Sequence, residues 1–381
     1  MKIQKILKRL LQLHPKSIDL SLDRIKRLLK DLNNPQKKIK NPIQIIGTNG
    51  KHSVCSALRE IFETAGYSVN MNISPSLKKF NERYYLSGKH ISDDQLLELL
   101  TEVEKINNKK NITFHEFICA CFFLAASRNK SDVNILEAGL FFRLDASNVL
   151  EKNIASIITP IGLDHKDFLK EGTIDEIVYE KCSHLLNGSR IILSEQKENI
   201  LKKIKKNIFK NSSIKLIFGE DYKYKKTKNG FIYIDKKGKL SLPNPNLLGD
   251  FQISNVSTAI CAIRNLDQFK IKQSHISEAI TKIRSEGRLQ FIKEGKLRKY
   301  VTNKNKILID GAHNTLAAKA IEKYLGSLNS GRKIIMLIGM MINKEHREFI
   351  QVFKNISDKD NSATIFCTGS LYFVGEILNL N

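Results

Sequence analysis

Apolar positions along the chain recur in two alternating rhythms, short continuous runs and longer stretches at helical spacing. Helical spacing marks 1–13 and 22–32, with Asp19 and Ser21 as candidate caps. Strand-like runs at 43–46, 68–73, 133–137, 155–160 and 190–194 then interleave with helical patterns at 52–65, 92–106, 113–127 and 173–186. Buried strands separated by amphipathic helices predict a mostly parallel sheet covered on both faces. Residues 214–243 break the rhythm: short β-like runs at 215–218 and 230–234 with turn residues between them read as a small antiparallel insertion. Helices follow at 255–266 and 274–283. A second α/β rhythm begins near 287, with strands at 306–310, 333–339 and 364–368 and a helix at 315–325. The boundary is placed between 285 and 286, giving units 1–285 and 286–381.

The first strand runs directly into Gly47-Thr48-Asn49-Gly50-Lys51-His52-Ser53 and then into a helix. A buried strand, a glycine-rich turn, a lysine and a helix N-terminus make a phosphate cradle, because backbone N–H groups, the helix dipole and one full charge converge there. ATP is the first ligand to consider. The common phosphate-loop pattern would place Gly at Ile45 and Ser or Thr at His52. Beyond neighbouring strand ends stand Ser74-Pro75, Glu137 and Asp164-His165, and Glu180-Lys181 lies within a helix. Open α/β sheets bind ligands at such ends. Carboxylate, imidazole and hydroxyl groups gathered there suit Mg²⁺ bridging nucleotide phosphates.

Composition changes this picture little. Among 381 residues, 63 basic against 39 acidic side chains give a net charge of +24. That excess suits nucleic acid or small polyanions such as ATP. The lysines are dispersed, without aromatic interleaving or a tail, as an AT-rich genome alone would produce. Six cysteines without a C-x-x-C pair read as buried, reduced thiols of a cytoplasmic protein. The start lacks signal-peptide character, and the longest apolar stretch, 117–126, is too short to span a bilayer. No membrane or nucleic-acid partner is expected.

Seven motifs in order carry a resemblance to a known family. They are Gly47–Ser53; Ser74-Pro75 with Phe80-Asn81-Glu82-Arg83; Glu137-Ala138-Gly139-Leu140 with Arg143-Leu144-Asp145-Ala146-Ser147-Asn148; Gly162-Leu163-Asp164-His165 with Glu180-Lys181; Gly287-Arg288-Leu289-Gln290; Asp310-Gly311-Ala312-His313-Asn314; and Thr368-Gly369-Ser370-Leu371-Tyr372. From about residue 15 onward the chain resembles bacterial folylpolyglutamate synthase/dihydrofolate synthase of the Mur ligase superfamily. The resemblance implies an α/β fold, with a P-loop-type, mostly parallel ATPase domain followed by a smaller Rossmann-like α/β domain. It also implies a monomer and an ATP-dependent ligase that adds L-glutamate to dihydropteroate, to reduced folates, or to both.

Carried over residue by residue, the resemblance puts Gly47, Thr48, Asn49, Gly50, Lys51, His52 and Ser53 on the ATP phosphates. Asn255, beside Gln252, would face the adenine, Arg288 would reach the phosphates across the cleft, Asp310 would accept from the ribose, and His313 would lie on the adenine or γ-phosphate side. Ser74, Glu137 and His165 would ligate Mg²⁺, with two ions expected. Lys181 matches a lysine that the family carbamylates, against the plainer reading of an exposed helix lysine. Thr113, Phe114, His115 and Asp145 would line the pterin pocket. The catalytic residues are then Lys51, Lys181, His165 and Arg288.

Four departures stand out. His52 occupies a family glycine, and Ser76 a family histidine. Phe141-Phe142 replaces Gly-Gly at the pocket wall, and Asn343-Lys344-Glu345 replaces Asp-Lys-Asp. Between 351 and 363 the family has a further helix and strand that this chain lacks, which predicts a thinner second domain and an exposed sheet edge. These features motivate an alternative reading as a catalytically impaired, nucleotide-binding relative. A cell-wall ligase is disfavoured, because a UDP-binding domain has no room before residue 40. A basic nucleic-acid-binding protein rests on charge alone.

Overall fold

The computed structural model describes residues 2–16, 18–328, 333–342, 344–353 and 363–381. Its first sheet is built from β1 (Pro42–Ile46), β2 (Val69–Asn72), β3 (Tyr84–Leu86), β4 (Lys89–His90), β5 (Val133–Glu137), β6 (Ala155–Ile158), β7 (Arg190–Leu193) and β8 (Ile214–Ile217). The order is β4-β3-β2-β5-β1-β6-β7-β8. β2, β5, β1, β6, β7 and β8 pair in parallel, and β3 pairs antiparallel with both β2 and β4. Every residue of β1, β2, β5 and β6 is buried, as strands covered on both faces must be. After β1 the chain turns toward β2, and after β6 toward β7, so a crevice opens at the C-terminal ends of these strands.

One face of the sheet carries the helices Lys51–Thr64, Phe251–Arg264 and Gln273–Ile280, with Phe62 and Phe269 in edge-to-face contact at 4.9 Å. The other face carries Asp23–Asp31, Asp93–Asn107 and Phe114–Arg128. The last of these is apolar nearly all round and buries Phe117, Phe122 and Phe123 completely, as the long apolar stretch at 117–126, too short to span a bilayer, requires of a core helix. No helix among the described residues is long and apolar enough to cross a membrane.

The insertion is a three-stranded antiparallel sheet of β9 (Tyr222–Thr227), β10 (Gly230–Asp235) and β11 (Gly238–Pro243). The expected run at 215–218 does not belong to it: β8 pairs in parallel with β7 and closes the large sheet. The second α/β unit contains β12 (Gln290–Phe291), β13 (Lys306–Ile309), β14 (Lys333–Ile338) and β15 (Ala363–Thr368), in the order β12-β13-β15-β14 with only β12 antiparallel. As the shortened sequence predicts, β14 is the edge strand, and its Ile335 and Leu337 are exposed. The shortened stretch itself falls largely at 354–362, outside the described residues.

Two phenylalanines separate packing from surface effects. Phe122→Ala should cost about 3–5 kcal/mol by leaving a cavity in a closed core. Phe209→Ala, at an 80% exposed side chain, should stay within about 0.5 kcal/mol. Urea unfolding of both variants checks the pair, and equal midpoints would contradict the packing described.

Candidate active site

The loop after β1 is fixed by two glycines. Gly47 has φ +144°, and a Cβ there would sit 2.1 Å from Thr159 Oγ1; Gly50 has φ +83°, and a Cβ there would sit 2.5 Å from Asn255 Oδ1. Thr48 and Asn49 do not aim their amides at an anion. Both donate to Pro160 O, at 3.0 and 3.2 Å, and bind the loop to the segment that follows β6. The amides left free to meet an anion are therefore those of the first turn of the helix Lys51–Thr64, whose leading N–H groups have no intrahelical acceptor. Lys51 Nζ folds back onto Gly47 O at 3.1 Å and Thr48 O at 3.4 Å.

Glu137 ends β5 in full burial, which raises its pKa against the pull of Lys51 and of the Ser74 amide. Its Oε2 accepts from Ser74 N at 3.3 Å and lies 3.9 Å from His52 Nδ1. Among the described residues no lysine or arginine forms an ion pair with it. The Ser74-Pro75 peptide is cis. Burial, with Arg288 and Arg59 nearby, pulls the His52 pKa down to about 3, so the ring is neutral at physiological pH. Arg83 belongs to a recognised motif but had no role in the sequence reading. Its guanidinium sits 5.3 Å over Phe80 with Nε unpaired, and burial lowers its pKa.

Asp164 gathers groups from the second sheet. Its Oδ1 accepts from Lys344 Nζ at 2.6 Å, and its Oδ2 accepts from Asn314 Nδ2 at 3.0 Å and lies 3.4 Å from His313 Nε2. Burial pushes its pKa up, yet the His313 contact and the charges of His165, His313 and Lys344 hold it well below the usual carboxylate range. His165, in left-handed backbone at φ 56°, has its pKa pulled down to about 3 by burial and by Lys344, against the opposing pull of Asp164. The amides of Asn49 and Asn314 meet at 3.0 Å across the same gap. Asn343 lies outside the described residues.

Asp310 accepts from Leu289 N at 2.8 Å and Ala312 N at 2.7 Å, so its carboxylate first of all orders the loop that presents Arg288 and His313. Asn255 donates to Gln252 Oε1 at 3.0 Å and lies under Gly50, which leaves the buried Gln252 Nε2 as a donor without a partner. On the opposite wall Thr113 caps the helix Phe114–Arg128 through Glu116, and His115 Nε2 stands 3.3 Å from Asp145. Asp145 also accepts from Gly139 N and from Ser147 N and Oγ. Phe141 and Phe142 turn into the core instead of the pocket, so the replaced Gly-Gly pair leaves that wall intact.

Lys181 is not an exposed helix lysine. It is 3% exposed and donates to Gly47 O at 3.1 Å and Leu140 O at 2.7 Å, beneath the cavity wall. Apart from Gly47, the remaining candidates share one cavity of about 1100 Å³. It is lined by Thr48–Ser53, Ser74, Arg83, Thr113–Glu116, Glu137, Asp145, Asp164, His165 and Asn255 from the first unit, and by Arg288, Asp310, His313 and Lys344 from the second. Among the described residues no three His, Cys, Asp or Glu side chains converge tightly enough to form a cation cage by themselves.

A mononucleotide-type loop facing a second α/β unit across such a cleft defines an ATP-dependent ligase architecture. The model of the Mur ligase middle domain matches residues 45–263, and the chain belongs to the Mur ligase family. Among curated proteins it is similar to dihydrofolate synthase/folylpolyglutamate synthase of Buchnera aphidicola subsp. Acyrthosiphon pisum, 29% identical over 306 residues that cover 79% of this chain and 69% of that protein. Its fold matches the solved structure of Escherichia coli FolC in complex with DHPP and ADP (TM-score 0.88, 23% identity, 99% of this chain and 97% of that one). It also matches a bifunctional folylpolyglutamate synthase/dihydrofolate synthase with Mn, AMPPNP and L-glutamate bound (TM-score 0.85, 22% identity, 99% and 97%).

Burial, with Lys51 nearby, pulls the Lys181 pKa down to about 7 from 10.5. Between these values the unfolded chain holds a proton that the folded chain lacks, so stability rises with pH through the window. Lys181→Met should flatten that rise, as read from urea unfolding at about pH 6 and about pH 9. The same pH slope in both proteins would rule out a buried neutral amine.

Proposed function

We propose that the protein joins L-glutamate to an acid of the folate type, using ATP and an acyl-phosphate intermediate. One observation carries this reading: the phosphate-binding helix start, the aromatic and carboxylate pocket, and the basic groups of the second unit all open into a single cavity. The acid's carboxylate attacks the ATP γ-phosphorus and ADP leaves. The amine of glutamate then attacks the acyl carbon, phosphate departs, and an amide remains. Such chemistry depends on positioning and on neutralising charge.

In this reading the first-turn amides of Gly50, Lys51, His52 and Ser53 hold the phosphates, and Lys51 leaves its own loop carbonyls to meet them. Thr48 and Asn49 set the shape of the loop. Arg288 approaches from the second unit, and His313 flanks the nucleotide. Asp310 is available to the ribose through its remaining lone pairs, and Asn255 with the unpaired Gln252 amide faces the base. Thr113, Phe114, His115 and Asp145 hold the pterin. Lys181, neutral in part near pH 7, is the amine open to carbamylation, and it supports the loop from below.

The residues present fit a divalent cation. Glu137 is a buried carboxylate with no basic ion-pair partner among the described residues, Ser74 stands beside it, and the neutral His165 faces the same cavity. When bound, the ion would offset phosphate charge; we assign Mg²⁺, with two ions. The related structure with Mn and AMPPNP supports a divalent ion together with the nucleotide. We also propose a monomer acting in the cytoplasm, with the division between units at 285/286. Six free, buried cysteines suit a reducing compartment. The impaired-relative reading loses its ground, because Lys51, His165 and Arg288 still line one cavity.

Phosphate release from ATP, measured with dihydropteroate or tetrahydrofolate in the presence and absence of glutamate, tests the proposal. Glutamate should stimulate release with at least one of the two acids, and Lys51→Ala should lower it by about 10²–10³-fold. Turnover indifferent to both acids would refute the ligase reading, and an unimpaired Lys51→Ala variant would refute the phosphate loop.

A further inference from the structure

We propose that His52 is a nitrogen ligand of the cation held at Glu137, and that it turns this site from one suited to Mg²⁺ toward one that favours Mn²⁺, Co²⁺ and related transition-metal ions. The inference rests on the reading of Glu137 as a cation ligand. It goes beyond that reading in naming a donor outside the Ser74, Glu137 and His165 set, and in naming the class of ion that the donor selects.

Two observations converge on the residue. The first is its place in the chain. In phosphate loops generally, the residue immediately after the lysine is Ser or Thr, and its hydroxyl meets the metal ion; the family this chain resembles has glycine there, with no ligand to offer, whereas here the position holds an imidazole. The second is geometry. His52 Nδ1 stands 3.9 Å from Glu137 Oε2. Two donors each about 2.1 Å from one ion lie roughly 3–4.2 Å apart, depending on the angle between them, so this separation spans a shared ion. The ring lines the cavity beside Glu137 and Ser74 and makes no hydrogen bond with described residues closer than that contact. The buried carboxylate likewise has no lysine or arginine in ion-pair contact among them.

The consequence follows from ligand chemistry. Carboxylate, hydroxyl, water and phosphate oxygens satisfy Mg²⁺, which gains little from a nitrogen donor. Imidazole raises affinity along the series from Mn²⁺ toward Ni²⁺ and Cu²⁺. Exchanging an oxygen or solvent position for His52 therefore improves binding of the later ions selectively.

Binding of Mn²⁺, Co²⁺ and Mg²⁺ to the full chain with AMPPNP present is measured by calorimetry for the wild type, His52→Gly, His52→Ser and Glu137→Gln. His52→Gly should weaken Mn²⁺ and Co²⁺ binding by about tenfold or more and change Mg²⁺ binding less than about twofold. His52→Ser, which restores the general pattern, should keep the Mg²⁺ affinity. Pulsed electron paramagnetic resonance of the Mn²⁺ complex should show a coordinated imidazole nitrogen that is reduced in His52→Gly. A single histidine signal unchanged in His52→Gly, with equal losses for all three ions, would overturn the inference and leave Glu137 standing. Lower AMPPNP affinity with unchanged metal preference would overturn it in favour of a phosphate contact. If Glu137→Gln leaves the binding of every ion intact, the cation reading itself falls.

Discussion

The cleft depends on one carboxylate. Asp164 lies in the loop after β6, and its partners Lys344, His313 and Asn314 all come from the second α/β unit. A charge with this little exposure is costly unless it is paired and hydrogen-bonded, so the side chain in effect requires the two units to stand close. Other contacts follow the same line: Lys166 with Glu345, Lys78 with Glu286, and Asn49 with Asn314. Packing adds a limit of its own, since a Cβ on Gly162 would come within 2.9 Å of Leu316. The position of Arg288 and His313 relative to the phosphate loop is thus set largely by polar contacts. Contacts of that kind can break and reform as ligands enter and leave.

The second constraint is positive charge without enough negative charge to meet it. Lys51 and Lys181 turn to carbonyl groups of the loop they support, and Arg83 keeps an unpaired Nε over an aromatic ring. Loss of water depresses both the Lys181 and the Arg83 pKa, and for Lys181 the nearby charge of Lys51 adds to it. A triphosphate entering this cavity would relieve the strain and let Lys51 exchange a weak carbonyl contact for a charge-assisted one. The dispersed surface lysines, which dominate the composition, take no part in this. Here a few buried cations matter more than the net charge of +24.

The sequence made most of the large sheet legible, because strands buried on both faces leave continuous apolar runs: the run at 133–137 is β5 to the residue. What it hid has physical causes. β8 (Ile-Lys-Leu-Ile) is an edge strand with Ile214 exposed and only Ile217 buried, and its partner β7 lies across a helix in the chain, so its local pattern resembles the hairpins that follow. The helix Glu198–Ile208 buries only Ile200, Ile204 and Ile208, so its lysines masked the periodicity. The sequence reading assigns no element to the helix Leu371–Leu380, whose first residues enter it only as part of a motif. Within the site, the glycines and Lys51 were readable from short-range order. The turning of the Thr48 and Asn49 amides toward Pro160 was not, since it depends on a segment more than a hundred residues away in sequence. The Asp164–Lys344 pair was hidden for the same reason: both residues were noted, but only the fold joins them.

The thinner second unit is better explained by where its material is missing than by lost function. In the parallel portion of that sheet, β13, β15 and β14, the C-terminal ends face the cleft: Asp310 follows β13, Gly369 and Ser370 follow β15, and Met341 and Lys344 follow β14. The shortening falls in the sequence ahead of β15, and Ile335 and Leu337 of the β14 edge are exposed. It does not shorten any loop that carries Arg288, Asp310, His313 or Lys344. A parallel strand keeps its two ends chemically separate, so one can lose structure while the other keeps its chemistry. The exposed edge is therefore a cost to solubility and stability, while Arg288, Asp310, His313 and Lys344 still line the cleft.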